Sequence, residues 1–250
     1  MKKKVARTDS LKEIAEYIEK NIYTFHDSRI NCLQNTDLKD LLKRKNPYLF
    51  RAKNILTAQE LVSAFLEARL SSSEEEIFGR FLEDLAIFVA HKFLNATKSA
   101  TQGIDFEYTT GNIRYLFIIK SGLNWGNSSQ WKALERDVST AIKILHQSRS
   151  IKHVQPFLGV CYGNAKTTTK KGAIKQICGQ AFWAMISGNT ELYKEIIIPL
   201  GHNAKERNEE FNKRKAEIIN VFTREVLNNY CDSSGKLDWK KIVELSSKNM

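Results

Sequence analysis

Residues 103–129, GIDFEYTTGNIRYLFIIKSGLNWGNSS, constrain the fold more than any other stretch of the chain. Tyr115 to Ile119 is apolar without a break, as a buried strand requires. Ile104, Phe106 and Tyr108 alternate with other residues, the pattern of a strand with one buried face. The reading is two adjacent hairpin strands, 104–109 and 113–120, followed by a Gly/Asn/Ser loop. Charges sit where such strands should be apolar: Asp105 and Glu107 in the first, Lys120 at the end of the second. Side chains two apart on a strand point to one face, so Asp105 and Glu107 share a face, and Lys120 follows Asp105 by 15 residues.

Two carboxylates and a lysine at a strand end suit a hard divalent cation. Mg²⁺ prefers carboxylate oxygens, keeps several waters and bridges to phosphate oxygens. It would lower the pKa of a bound water and offset charge developing on a phosphate, which is phosphodiester hydrolysis. The same residues would also fit a two-stranded edge with its charges turned to solvent.

The rest of the chain reads as helices, then a few strands, then helices: a mixed α/β fold with a small central mixed sheet flanked by helices. The stripe Leu11, Ile14, Ala15, Ile18 marks an N-terminal helix. Thr57 to Glu60 is a capping box that opens a helix to about Leu70. SSSEEE, residues 71–76, reads as the start of a second helix running to about Phe93. A further helix, 130–147, follows a cap at Ser128 or Ser129, with Trp131, Leu134, Val138, Ile142 and Leu145 inward. A third strand, 154–162, precedes a basic loop, 163–180, which has room for one short strand. Helices at 179–188, 203–230 and 238–247 complete the reading. Residues 1–55 are taken as a helical arm or dimer contact and 56–250 as the catalytic domain.

Charge narrows the partner. The chain carries +11 overall, unevenly: residues 1–54 hold 13 basic against 7 acidic side chains, 55–100 hold 4 against 7, and 151–199 hold 6 against 2. A basic chain around an acidic middle suggests a polyanion gripped about a site that needs carboxylates. No apolar run approaches the length of a membrane span, and MKKKVARTDSLKE has no apolar segment behind its basic start. The four cysteines, Cys32, Cys161, Cys178 and Cys231, form no CxxC pair, which argues against a zinc site and fits a reducing cytoplasm. The glycines make no phosphate-binding fingerprint, so no nucleotide cofactor is expected.

SSSEEEIFGRFLEDLAIFVA, GIDFEY, IIKSGLNWGNSSQ, LGVCYGN, GQAFWAMISG and KLDWKKIVEL, in that order, resemble type II restriction endonucleases of the PD-(D/E)xK nuclease superfamily. There an aspartate begins one strand and a (D/E)-x-K tripeptide ends the next. The resemblance implies a restriction-endonuclease-like core, Mg²⁺-dependent cleavage of double-stranded DNA, a homodimer matched to a palindromic site, a bacterial cytoplasmic setting and a companion methyltransferase. It casts Asp105 and a second carboxylate as metal ligands and puts Lys120 at the attacking water. The chain departs from the pattern at Ile118, where an acidic residue should stand. Candidates to replace it are Glu83, one turn after Gly79, then Glu107, then Glu135, with Asp84 nearer the apolar stripe of its helix.

DNA contacts are expected from Ser121, Asn124, Asn127, Ser128 and Ser129 in the loop after the second strand. Asn164, Lys166, Lys170, Lys171, Lys175 and Gln176 in the basic loop would grip phosphates and read base edges. Trp125 is either a wedge facing DNA or a ring packed beneath its loop. Rival readings are a repair or structure-specific nuclease of the same superfamily, a non-catalytic DNA-binding protein on a decayed nuclease fold, and an RNA-binding protein. The recognition sequence, stagger and methylation sensitivity are not written in the sequence.

Overall fold

The computed structural model of the chain describes residues 2–147 and 153–248. It is mixed α/β, one sheet flanked by helices. In chain order the elements are α1 (Lys2–Asn21), α2 (Tyr23–Gln34), α3 (Leu38–Arg44), α4 (Pro47–Ala52), α5 (Ala58–Leu94), β1 (Thr97–Lys98), β2 (Phe106–Thr110), β3 (Ile113–Lys120), α6 (Ser128–Gln147), β4 (His153–Val160), β5 (Thr168–Thr169), β6 (Lys175–Cys178), α7 (Gln180–Ser187), α8 (Leu192–Glu195), α9 (Ile197–Leu200), α10 (Ala204–Tyr230) and α11 (Trp239–Ser247). Two compact units result, Met1–Asn21 with Gly79–His202, and Ile22–Phe78 with Asn203–Met250; residue 55 falls inside the second. Among the described residues no helix is long and apolar enough to cross a membrane.

The first unit holds the six-stranded sheet, in the order β1-β2-β3-β4-β6-β5. β1, β2 and β3 run antiparallel, β3, β4 and β6 parallel, and β5 closes the far edge antiparallel. The crossover from β3 to the parallel β4 carries α6, as a parallel neighbour requires. Strand alternation then divides the core. Leu116, Ile118, Leu158 and Val160 pack with Leu134, Val138 and Ala141 of α6. The opposite face is aromatic: Phe117 stacks on Phe106 at 4.6 Å and on Phe157 at 5.0 Å, and Tyr108 on Tyr115 at 4.8 Å.

Phe182 of α7 lies on that aromatic face directly over Gly159, where a Cβ would come within 2.3 Å of its ring. Gly159→Ala is therefore expected to destabilise the protein by about 1–3 kcal/mol, because the buried ring has to move; a urea midpoint equal to that of the wild type would contradict this packing. Trp183, beside Phe182, donates its indole N–H to the Cys161 carbonyl at 2.8 Å and ties α7 to the end of β4.

The second unit is helical, with Leu33, Leu42, Leu61, Phe65, Leu66, Val226 and Ile242 in its core. Its helices start where side chains accept orphan amides: Asp37 for α3, Asn46 before Pro47 for α4, Asp238 for α11. The capping box forms as expected. The Thr57 hydroxyl accepts from the Glu60 amide at 3.1 Å, and the Glu60 carboxylate accepts from the amides of Leu56 and Thr57. Removing that hydroxyl with Thr57→Ala is expected to cost about 1 kcal/mol, read as a lower melting temperature.

Three expectations need correction. The helices anticipated at 57–70 and 71–93 are one helix, α5, of 37 residues. Serines have only moderate helix propensity, yet no Gly or Pro stands between Ala58 and Phe78, and Ser72 turns its hydroxyl back to the Ala68 carbonyl at 3.1 Å. The basic loop 163–180 holds two strands, and β6 is an interior one between β4 and β5. Its Lys175 and Gln176 disguised it as loop. The cap of α6 is Asn127, whose side-chain carbonyl accepts from the Ser129 and Gln130 amides at 3.0 and 3.1 Å; neither Ser128 nor Ser129 fills that place.

Candidate functional site

The site forms at one end of the sheet in the first unit, where β3 ends and α5 passes. Asp105 stands just before β2. Its amide donates to the Phe117 carbonyl at 2.8 Å, and its Oδ2 accepts from the Ile119 amide at 2.6 Å, so backbone and side chain are both pinned to β3. Lys120 is the last residue of β3, and its carbonyl accepts from the Cys161 amide at 2.8 Å, which fixes it against the end of β4.

Glu83 of α5 completes the group. Burial, then the charge of Asp105, push the Glu83 carboxyl above its ordinary range, while Lys120 draws it down. Asp105 is also raised, chiefly by burial, against the pull of the Ile119 amide, Lys120 and Lys98. The buried Cys161 thiol is driven up by burial and by the same two carboxylates. Two half-buried acids repelling each other beside one lysine hold negative charge that a cation would offset. Among the described residues no three His, Cys, Asp or Glu side chains gather as a metal cage. A pair of carboxylates with open positions nevertheless suits Mg²⁺, which keeps several waters. The donor set therefore fits.

The other candidate carboxylates lie elsewhere. Glu107 pairs in register with Leu116, four residues from Lys120 and so about 13 Å along the strand, whereas Asp105 lies before β2 and outside its register. Its Oε1 accepts from Arg114 at 2.6 Å. Glu135 pairs with Lys171 at 3.6 Å, and Asp84 is exposed. Ile118 is buried in the core against α6, so the position two before Lys120 is apolar in the fold as well as in the sequence. The room expected beside Gly79 is taken up by Ser121, whose Oγ would lie 3.4 Å from a Cβ there; the glycine admits the loop that follows Lys120.

Of the residues expected to meet DNA, those of the 121–129 loop and Asn164 follow the ends of β3 and β4, while Lys175 pairs through Phe157 with Phe117, three residues short of Lys120. Asn124, Asn127 and Ser128 are exposed, Ser121 is half-buried, and Asn127 spends its side chain on the α6 cap. Asn164, Lys166, Lys170, Lys171 and Lys175 are exposed. Gln176 is not available to bases: it is buried in β6 and donates to the Cys178 sulfur at 3.5 Å. Trp125 is half-buried, its ring 4.7 Å from that of Trp131, with the Lys120 Nζ 5.4 Å from its centroid. An open cleft of about 260 Å³ runs past Ile118, Lys120, Trp125, Gln130 and Asp137. The contact of Lys120 with Trp125 and the nearness of Cys161 to the acids were not visible in the sequence. Both depend on how the loop folds back and on the β3–β4 register.

A model of the family described as type II restriction endonuclease EcoO109I matches residues 12–208. No curated protein sequence matches the chain.

Proposed function

Since the chain belongs to the type II restriction endonuclease EcoO109I family, we propose that it cuts both strands of DNA at a specific sequence by Mg²⁺-dependent phosphodiester hydrolysis. The observation that carries the chemistry is the convergence of Glu83, Asp105 and Lys120 at the end of β3. It corresponds to the arrangement of the PD-(D/E)xK superfamily, with Glu83 on a helix in place of the acid absent at Ile118.

In this reading Glu83 and Asp105 hold the cation, and the Ile119 amide fixes the orientation of the Asp105 carboxylate. When bound, Mg²⁺ acidifies water and offsets charge on the phosphate. Lys120 orients the attacking water or donates to the phosphate oxygen on which charge develops. The exposed residues of the 121–129 loop and the lysines of the 163–175 segment grip the duplex, with salt-dependent affinity. A homodimer on a palindromic site, a companion methyltransferase and a bacterial cytoplasmic setting complete the proposal.

The test is a digest of unmethylated phage-sized DNA with and without Mg²⁺. Discrete fragments that require Mg²⁺ are expected; a smear or single-strand nicks would point to a structure-specific nuclease instead. Because protons and cation compete for carboxyls whose pKa values are raised, Mg²⁺ binding is expected to weaken as pH falls, beginning above the range where an ordinary carboxylate titrates. Calorimetric titrations at pH 7.5 and pH 5 check this, and equal affinities would argue against these two ligands. A second reading rests on Ile118: a protein that binds DNA without cutting it. Intact DNA in every digest, with a gel shift retained by Lys120→Ala, selects that reading.

A further inference from the structure

We propose that Trp125 is a positioning residue for Lys120, its indole face holding the ammonium in the place from which it serves cleavage. The inference rests on the nuclease reading above and extends it to a residue outside the acid–lysine group.

Lys120 is half-buried and makes no salt bridge among the described residues. The carboxylates of Glu83 and Asp105 attract it from one direction. The Trp125 ring faces it at 5.4 Å, within the distance at which a cation is drawn to an aromatic face. That ring does not float in the loop. It lies 4.7 Å from Trp131, near the start of α6, and packs with Trp131 against the core beneath the sheet. Trp131 carries a second cation, Lys170, at 5.9 Å.

The departure at Ile118 gives the arrangement its reason. An acid two residues before the lysine on the same strand face would hold the ammonium from below. Here that place is a buried isoleucine, and the cleft past Ile118 and Lys120 is walled by Trp125 instead. A four-carbon stem with three rotatable donors is a poor positioning device by itself. The indole restricts it and leaves the ammonium's remaining donors free toward water and phosphate.

The experiment compares Trp125→Phe, which keeps a ring face, with Trp125→Leu, which keeps apolar bulk without one. Single-turnover cleavage over a range of DNA concentrations separates rate from binding. Trp125→Phe is expected to stay within about threefold of wild type. Trp125→Leu is expected to lose about 5- to 30-fold in the cleavage rate with half-saturation unchanged, while melting at the same temperature as Trp125→Phe. A readout without DNA or Mg²⁺ accompanies it. In protein with ¹³C-dimethylated lysines, the Lys120 signal, assigned by its loss in Lys120→Ala, is shifted upfield by the indole ring current and returns to the common lysine position in Trp125→Leu. Equal cleavage rates for the two variants, a rise in half-saturation with the rate intact, or an unshifted Lys120 signal in the wild type each overturn the inference and leave the nuclease reading standing. A wild type that cuts no DNA overturns both.

Discussion

On the proposed function, Lys120→Ala protein is expected to leave DNA uncut at concentrations where the wild type with Mg²⁺ yields discrete fragments, a loss of about 10²- to 10⁴-fold or more in rate. The stem of Lys120 is only half-buried and, among the described residues, the side chain closes no ion pair, so its removal leaves the sheet intact. Loss of activity with only a modest drop in melting temperature, from losing the cation beside Glu83 and Asp105, then belongs to chemistry. Glu83→Gln gives the same loss of cleavage, with an opposite mark on stability. A carboxyl whose folded pKa lies above its unfolded value is costly to keep ionised, and that cost grows as pH rises through the interval. The neutral amide escapes it. Metal-free Glu83→Gln is therefore expected to melt above the wild type at pH 7, with the difference shrinking toward pH 4, where the wild-type acid is itself protonated. DNA binding is retained or tightened, since a negative charge has left the site. Cleavage surviving in Glu83→Gln at wild-type rate would remove Glu83 from the metal site and return the choice to the remaining carboxylates.

How much of this was legible depends on which physical effect placed each residue. The hairpin and the Asp105-to-Lys120 spacing could be read because strand alternation is local: five pairs of β2 and β3 stand in the register that the apolar pattern implies. The same alternation brings Glu107 forward as a ligand. Parity says nothing of distance along the strand, and the salt bridge to Arg114 comes from a turn closing at the opposite end of the hairpin. Glu83 could only be nominated, because its place beside Asp105 is set by the passage of α5 past the sheet. β6 was obscured for a related reason. A strand that is buried between neighbours yet begins Lys175-Gln176 reads as polar loop until the β4 pairing supplies its context. At Ser71–Ser73 a helix-start signal was present, and burial of Leu70 and Phe81 on either side kept the helix whole.

Phe117→Ala is expected to be the most damaging substitution outside the site, lowering stability by about 3–5 kcal/mol. Phe117 is fully buried at the centre of the sheet, flanked by Phe106 and Phe157 with ring planes within 9° and 6° of parallel. Truncation opens a cavity between two rings that strand pairing holds in place, so neither can collapse far into the space. Stacking adds about 0.5–1.5 kcal/mol for each aromatic pair beyond the area buried. Set against a total stability of about 5–15 kcal/mol, such a loss brings the sheet near its threshold. The consequence reaches the site, because the Phe117 carbonyl accepts from the Asp105 amide, and a loosened β3 releases Asp105, the proposed metal ligand, from its backbone anchor. Phe117→Leu refills most of the volume and should recover more than half of the loss, together with cleavage. Urea unfolding of the three proteins measures this directly. A Phe117→Ala midpoint equal to that of the wild type would mean that the aromatic face contributes shape and little stability, and that the anchoring of Asp105 does not depend on it.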